Sequence, residues 1–464
     1  MVKIVLQCIV ISCIILFSVG EISAQYLTTS GENIVDKNNN PILLRGVGLG
    51  GWMLQEPYMM KVVGGARNQQ EFKSKLEGLI GEERTQEFFD SWLQNFVTEK
   101  DVDSIASWGF NSIRLPMHYN LFTLPIQQEN GNENTWLDKG FDIVDNLLSW
   151  CEKNELYLIL DLHAAPGGQG YDEAISDYDP NYPSLWESDL NKQKTVALWG
   201  KLAERYKNEE WIGGYDILNE TNWNLSGNEI KELYVQITNA IRVHDQNHIL
   251  FIEGNWFAND FTGLTPPWDN NMVYSFHKYW NENTQAPIQW VLDMRAQYDV
   301  PLWMGESGEN SNVWFKDAIS LFEDNNIGWA WWPWKRLDTT VSSYSIKTNS
   351  NYNNVVNYFK GEAAIPDKDN AFQGMMDIAS ASNIDNCDFR KDVVDAMLRQ
   401  PSSDELVPFS ENTVPGIILA THFDMGSQGL AYYDTEYGNY SSSGGTSSWN
   451  LASLMSVTSS IDLL

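Results

Sequence analysis

Eight short strand-like segments between residues 42 and 332 alternate with amphipathic helical segments, and this alternation constrains the fold more than any other feature. The strand-like segments are 42–47, 110–116, 156–163, 213–220, 248–254, 272–279, 300–307 and 327–332, and helical patterns between them include 138–153, 192–207, 228–245 and 313–325. Strands that alternate with helices pair in parallel, so the pattern predicts an α/β fold, a (β/α)8 TIM barrel. A doubly wound open sheet is the alternative, but no Gly-x-Gly-x-x-Gly motif follows the first strand.

The N-terminus has the pattern of a secretory signal peptide. A positive start at Lys3 precedes an apolar run over 4–19, and small residues lead to Ala24. We therefore expect removal of residues 1–24 by cleavage near Ala24, and a secreted, periplasmic or cell-surface protein with no membrane attachment. An uncleaved anchor is the alternative, but the run is shorter than the roughly 20 residues of a spanning helix.

The remaining chain divides into a barrel domain over 25–400, a linker over 401–416 and a β-rich segment over 417–464. The linker is rich in Pro, Ser and acidic residues. Before the first barrel strand we expect a small hairpin that closes the bottom of the barrel, with its turn at 36–40. Only Cys151 and Cys387 remain after signal removal, so a large core must hold the fold, and whether the two cysteines pair is left open.

Charge and aromatic content narrow the classes of partner. The formal net charge is -32, which repels nucleic acid and anionic lipid, so neither is an expected partner. The chain has 20 tryptophans, and exposed indole faces can stack on the apolar faces of sugar rings. A saccharide is therefore a more plausible ligand than a polyanion.

Polar and aromatic residues gather where the proposed strands end, namely at Arg114, His118, His163, Asn219, Glu220, His277, Tyr279, Glu306 and Trp332. Barrel geometry brings strand ends to one face, so these side chains can share one cleft. Two glutamates across a cleft suit cleavage of a glycosidic bond, because one carboxyl group protonates the leaving oxygen and the other faces the anomeric carbon. Crowding raises the pKa of one of them, and Arg114 would hold the other ionised.

The motifs around these residues resemble glycoside hydrolase family 5. They are NSIRLP at 111–116, LILDLHAAPGG at 158–168, ILNE at 217–220, HKY at 277–279, GES at 305–307 and GWAWWPWK at 328–335, and the resemblance covers most of residues 27–400. It implies that Glu220 is the acid/base and Glu306 the nucleophile. It also implies sugar stacking by Trp332 and supporting roles for Arg114, His163, Asn219, His277 and Tyr279.

The sequence departs from the family pattern at one position, and some of its motifs resemble particular branches of the family. Thr221 stands where the family usually has proline after the glutamate, and that proline shapes a loop rather than doing chemistry. DLHAAPGGQ and WPWK resemble the exo-β-1,3-glucanase branch, whereas GVGLGGWM suits several β-glucanase branches. Alternation places Trp332 and Trp334 on one face of the last strand, and loops carry two other tryptophans over the barrel mouth. We therefore expect further substrate contacts from His118, Trp334, Trp256 and Trp223.

The C-terminal segment is similar to the beginning of a carbohydrate-binding module of family 6, in VPGIILATHFDMGSQGLAYYDTEYGN. Tyr432 matches the first aromatic residue of that family's sugar cleft. Leu419 and Thr421 stand where the family usually has the glutamates of a structural calcium site, and the resemblance ends where further strands should follow. The segment is therefore interpreted as a truncated module that does not bind sugar.

These observations predict a secreted, retaining glycoside hydrolase that cleaves β-1,3- or β-1,4-glucosidic linkages in a β-glucan, without a cofactor or metal. A hydrolase of β-mannan or another hemicellulose on the same site is an alternative. A metal-dependent barrel hydrolase is another, with His118, His163 and His277 as candidate ligands, although no His-x-His follows the first strand. A catalytically silent glycan-binding protein is the non-enzymatic alternative. Endo or exo action and the oligomeric state are left open.

Overall fold

Eight parallel strands close into a barrel in the computed structural model, which describes residues 26–131, 133–419 and 422–433. Each strand pairs with the next along the chain, and the eighth pairs with the first. In chain order the barrel strands are Arg45–Gly48, Ser112–His118, Tyr157–Ala164, Ile212–Asp216, Ile249–Glu253, Met272–His277, Leu302–Gly308 and Gly328–Trp332. Each overlaps its predicted segment, so the (β/α)8 barrel is confirmed.

The inner face of the barrel changes from apolar at the bottom to polar at the top. On the third strand Ile159 belongs to a buried apolar cluster, and Asp161 and His163 follow at intervals of two residues on the same face. On the fifth strand Phe251 belongs to the same cluster, and Glu253 follows it. An apolar cluster therefore fills the bottom of the barrel, and a layer of polar side chains lies above it.

A hairpin of strands Thr28–Ser30 and Asn33–Val35 covers the bottom of the barrel, as predicted. Its side chains Leu27 and Ile34 join the apolar cluster inside the barrel. These two strands are joined by a turn at Gly31, whose φ is 56°, and the predicted turn at 36–40 then joins Val35 to Pro41 in an antiparallel bridge. Residues 36–40 form a second turn, in which the Asp36 side chain accepts backbone N–H groups from Asn38 and Asn40.

Helices surround the barrel and bury their apolar sides against the outer faces of the strands. The α-helices are Gln69–Ile80, Glu82–Phe96, Glu99–Trp108, Asp138–Lys153, Glu173–Ser176, Asp189–Tyr206, Gly227–His244, Asn255–Ala258, Gln289–Tyr298, Asn312–Asp324, Ser350–Phe359, Lys368–Ala381 and Lys391–Leu398. Short 3-10 helices are Tyr119–Leu121, Ile126–Gln128, Ala286–Ile288 and Ile384–Asn386. Within the described residues, no helix is both long and apolar enough to cross a membrane.

The chain after the barrel adds a small sheet and an extended segment. Strands Lys335–Leu337, Tyr344–Ile346 and Asp388–Phe389 form the sheet. In the described part of 401–433, isolated bridges join Val407 to Met425 and Gln428 to Tyr432. The predicted signal peptide, Thr421 and residues 434–464 of the predicted module lie outside the described residues. Cys151 and Cys387 are free thiols and do not pair.

Candidate active site

A pocket of about 420 Å³ opens at the C-terminal ends of the barrel strands. One part of its wall is acidic and aromatic, and another part is mainly apolar. The lining residues are Glu56, Tyr58, His163, Asp172, Ala174, Ile175, Glu220, Phe257, Tyr279, Trp280, Glu306, Glu309 and Trp332. The pocket therefore lies at the face that the barrel pattern predicts.

Glu306 is held on both carboxylate oxygens. Its Oε1 accepts from Arg114 Nη1 at 2.5 Å, and its Oε2 accepts from the Tyr279 hydroxyl at 2.8 Å. Burial works against ionisation of this carboxyl group, but the cations His277, Arg114 and His163 outweigh burial and lower its pKa. Glu306 is therefore an ionised carboxylate that faces the pocket.

Glu220 is in the opposite electrostatic situation. Burial raises its pKa, and Glu306 and Glu253 raise it further, whereas His277 acts in the other direction. Its Oε1 lies 2.7 Å from His277 Nδ1, and a carboxylate oxygen of Glu220 lies within 4.8 Å of one of Glu306. Two adjacent carboxyl groups with pKa values shifted apart can serve as an acid and a nucleophile or base.

Arg114 is the centre of the polar layer and is fully buried. Its guanidinium contacts Glu306, Asn219 Oδ1 at 2.9 Å, Asp216 Oδ2 at 2.9 Å, Glu253 Oε1 at 2.9 Å and Asp161 Oδ2 at 3.2 Å. Oxygens of Asp161, Asp216 and Glu253 also lie within 4.8 Å of one another, a spacing that could hold a metal ion. Because Arg114 contacts all three, its guanidinium already supplies the positive charge at this point.

Trp332 forms an aromatic wall of the pocket. Its ring stacks on His163 with centroids 5.3 Å apart and planes 6° apart, and its Nε1 donates to the Tyr58 hydroxyl at 2.8 Å. The indole fits here because of the glycines after the first strand, since a Cβ at Gly50 would lie 2.3 Å from the Trp332 ring. Although burial works against a charged His163, Asp161 raises the pKa of His163 to about 10.

The other four predicted substrate contacts lie outside the pocket lining. His118 is fully buried, and its Nε2 lies 2.8 Å from Asp177 Oδ2, which ties the second strand to the loop after the third strand. Trp334 is fully buried and donates from Nε1 to Asp101 at 2.8 Å. For these two the structure corrects the expectation, because both polar groups have partners in the packed interior. Trp329 and Trp331, on the other face of the last strand, pack in the core.

Trp223 and Trp256 lie near the pocket without lining it. Trp223 is 7% exposed, because Tyr171 stacks on it at a centroid distance of 3.8 Å. Trp256 is 45% exposed and immediately precedes Phe257, which does line the pocket. Trp223 therefore packs beneath the more exposed Tyr171. In the loop after the fifth strand, Phe257 lines the pocket instead of the predicted Trp256.

A left-handed turn presents Phe257 to the pocket. Trp256, Phe257 and Ala258 have φ values of 51°, 60° and 59°, a conformation that costs of order 1–3 kcal/mol for each non-glycine residue. Asn255 holds the turn: its Oδ1 accepts from the backbone N–H groups of Trp223 and Trp256, and its Nδ2 donates to Trp223 O. The amide side chain thereby joins this turn to the loop that follows Glu220.

Sequence reasoning did not find several residues of the site. Asp161 and Glu253 had a detectable signal, because each lies near the end of a predicted strand, whereas Asp216 lies inside the predicted segment 213–220 and ends the strand only in the structure. Glu56 and Tyr58 lie in the loop after the first strand and carry no periodic signal. Burial raises the pKa of Glu56 to about 7. The pocket therefore contains more acidic groups than the predicted pair.

Known proteins with similar sequences identify the family. A family model described as Cellulase (glycosyl hydrolase family 5) matches residues 68–338, more than half of the chain. The chain belongs to glycosyl hydrolase family 5. A β-xylosidase from Phanerodontia chrysosporium is 36% identical over 349 residues, which are 67% of this chain and 71% of that protein. This family 5 protein is therefore a glycoside hydrolase.

Two further relatives differ in the activity that they are named for. Endoglucanase C from Acetivibrio thermocellus is 27% identical, and the match covers 64% of this chain and 92% of that protein. A probable glucan 1,3-beta-glucosidase A from Aspergillus clavatus is 26% identical, and the match covers 55% of this chain and 60% of that protein. Family membership therefore leaves the substrate of this glycoside hydrolase to be argued from its own pocket.

Proposed function

We propose that this family 5 enzyme is a retaining glycoside hydrolase that cleaves β-glucosidic linkages in a β-glucan. The proposal depends above all on Glu220 and Glu306, whose oxygens lie within 4.8 Å and whose pKa values are shifted in opposite directions. Retaining enzymes hold their two carboxyl groups about 5–5.5 Å apart, and inverting enzymes leave room for a water with about 6.5–9.5 Å. The short separation supports the retaining mechanism.

In the first step, the ionised Glu306 attacks the anomeric carbon while the protonated Glu220 gives its proton to the departing glycosidic oxygen. The bond between the anomeric carbon and that oxygen breaks, and an ester bond to Glu306 forms. In the second step, Glu220 takes a proton from water, whose oxygen attacks the anomeric carbon and releases Glu306. Arg114 and Tyr279 hold Glu306 ionised and oriented before the attack.

The mechanism is tested by substitution of each carboxylate. Glu306→Ala and Glu220→Ala should each reduce turnover by at least about a thousandfold without loss of folding. Glu323→Ala is the matched control, because Glu323 pairs with Arg45 away from the pocket. NMR of the first product should show the β-anomer. Wild-type turnover in either pocket variant, or a first product with inverted configuration, would remove the proposed mechanism.

The substrate is tested by product release from a panel of defined glycans. We expect cleavage of a β-1,3- or β-1,4-glucan in preference to β-mannan. A β-xyloside is the second candidate, because the relative that is 36% identical is named a β-xylosidase. Nitrophenyl β-glucoside and β-xyloside, compared by kcat/KM, separate these two sugars at the cleaved position. A higher value for the xyloside would overturn the glucosidic assignment.

Two other proposals concern mechanism class and location. Activity that survives exhaustive chelation would exclude a metal-dependent hydrolase, and complete inactivity on the panel would favour a silent glycan-binding protein. We also propose that residues 1–24 direct secretion, which N-terminal sequencing of the exported protein would test.

The segment from 417 is proposed not to bind sugar, in agreement with the packing of Tyr432 on Phe423 at a ring-centroid distance of 5.2 Å. Tyr432→Ala should leave retention on a glucan matrix unchanged.

A further inference from the structure

Glu253 is a fully buried carboxylate that touches the machinery of both catalytic glutamates. It ends the fifth barrel strand, and its Oε2 accepts from the backbone N–H of Glu220 at 2.7 Å. Its Oε1 accepts from Arg114 Nη2 at 2.9 Å and lies 3.3 Å from His277 Nε2. One side chain therefore contacts the backbone of the proposed acid/base, its histidine partner and the arginine of the proposed nucleophile.

The backbone of Glu220 needs such an anchor. Glu220 has a φ of 37°, in the left-handed region that non-glycine residues rarely adopt. A strained conformation of this kind persists only where its surroundings fix it, and a buried backbone N–H without a partner would add a further cost. The carboxylate of Glu253 supplies the partner for the N–H and holds the residue that carries the acid/base.

His277 is the second element that Glu253 contacts. On the Nδ1 side of the ring, Glu220 Oε1 lies at 2.7 Å and Glu306 Oε2 at 3.8 Å. On the Nε2 side, Glu253 Oε1 lies at 3.3 Å, and Arg114 lies beyond it, in contact with both Glu253 and Glu306. Carboxylates on both sides of a buried imidazole favour a proton on each ring nitrogen.

We propose that Glu253 is a positioning residue for the acid/base: it anchors the backbone of Glu220 and keeps His277 doubly protonated. This inference rests on the proposed role of Glu220. His277 then donates from Nδ1 to Oε1 of Glu220, which leaves Oε2 to carry the proton that moves to the glycosidic oxygen. His277 keeps both of its protons while Glu220 loses and regains one.

The electrostatics agree with this arrangement. Burial works against a charged His277, but Glu253 and then Glu306 raise its pKa well above the usual value. Burial likewise works against ionisation of Glu253, but His277 and Arg114 lower the pKa of Glu253 to about 2. Each group thereby holds the other in its charged form over the pH range in which glycosidases work.

The first test measures the protonation of His277 directly. The chain has 6 histidines, so a 15N-histidine-labelled sample gives few signals, and His277→Asn identifies the one of interest. We expect His277 to stay doubly protonated through pH 8 in the wild type. In Glu253→Gln, which keeps the shape but removes the charge, His277 should lose a proton at a pH at least about one unit lower. An unchanged titration would overturn the electrostatic role.

Kinetics test the consequence for catalysis. For Glu253→Gln we expect kcat to fall by about ten- to a hundredfold with little change in KM, because only the proton transfer is disturbed. Glu253→Asp keeps the charge but shortens the reach to the Glu220 N–H, so it should lower kcat while His277 remains doubly protonated. Wild-type kcat in folded Glu253→Asp would overturn the anchoring role, even if Glu253→Gln failed to fold.

Asp216→Asn is the matched control, since Asp216 also contacts Arg114 but neither His277 nor the Glu220 backbone. Its His277 signal should titrate as in the wild type, and a shift as large as that of Glu253→Gln would overturn a specific role for Glu253. Failure of the proposed function can be distinguished from failure of the role of Glu253. Wild-type turnover in Glu220→Gln would remove the acid/base role of Glu220. The His277 titration tests Glu253 separately, because it does not require turnover.

Discussion

Tyr279→Phe removes one hydroxyl group and, with it, one of the two hydrogen bonds that hold Glu306 ionised. The Tyr279 hydroxyl donates to Glu306 Oε2 over 2.8 Å, inside the pocket. A hydrogen bond to a charged acceptor is worth about 1.5–3 kcal/mol, and 1.36 kcal/mol corresponds to one pKa unit. Loss of this donor should therefore raise the pKa of Glu306 by about one to two units. Glu306 must be ionised to attack. When the pH is lowered, the variant should therefore lose activity at a higher pH than the wild type does.

The assay is the pH dependence of kcat/KM with a nitrophenyl glycoside. We expect the acid limb of the profile to move up by about one to two pH units, with a smaller loss on the neutral plateau. Tyr206→Phe is the control, because its hydroxyl donates to Asp145 at 2.9 Å, a bond of the same kind outside the pocket. An acid limb that stays in place in Tyr279→Phe would refute the assignment of Glu306 as the ionised nucleophile.

Three further substitutions test other parts of the site. Arg114→Met leaves Glu253 and its neighbours without a guanidinium. It should lower the free energy of unfolding, measured in urea at pH 7, by about 3–5 kcal/mol. A carboxylate whose pKa is lowered by folding stabilises above its unfolded pKa, so this cost should shrink as the pH falls below about 4. Trp332→Ala removes the ring that borders the pocket and stacks on His163, and it should lower kcat/KM about tenfold, or about 1.4 kcal/mol. His118→Asn should lower the melting temperature by disturbing Asp177, with kcat at saturating substrate preserved.

The fold was predictable because the barrel repeats one signal eight times. Each strand is short, rich in branched or aromatic residues and followed by a helical pattern, so an error in one boundary does not change the topology. The hairpin before the barrel carries no such repetition. The polar run 36–40 does form the predicted turn, but the sequence did not indicate the other turn, which a single glycine, Gly31, makes. A run of five polar residues is a clear turn signal, whereas a single glycine is a weak one.

The site was predictable where chemistry coincides with a strand end. His163 and Glu306 lie at the ends of their strands, and Tyr279 and Glu220 follow two and four residues after theirs. Trp334 shows the limit of period-two reasoning, since the strand ends at Trp332 and the chain then turns into the packed interior. Glu56 shows another limit, because only the tertiary fold brings a loop carboxylate into the pocket.

The network around Arg114 also bears on how this enzyme can be engineered. In most barrels this layer is filled by bulky branched apolar side chains, whereas here it holds an arginine and several carboxylates. Replacing a whole buried ion pair or triad by well-packed apolar residues is often neutral or stabilises by about 1–4 kcal/mol, in contrast to the removal of a single partner. Selection for heat resistance alone would therefore favour variants that are more stable and inactive. A search for a sturdier enzyme should leave this layer fixed and vary the outer helices, where thermal gain and turnover are not in conflict.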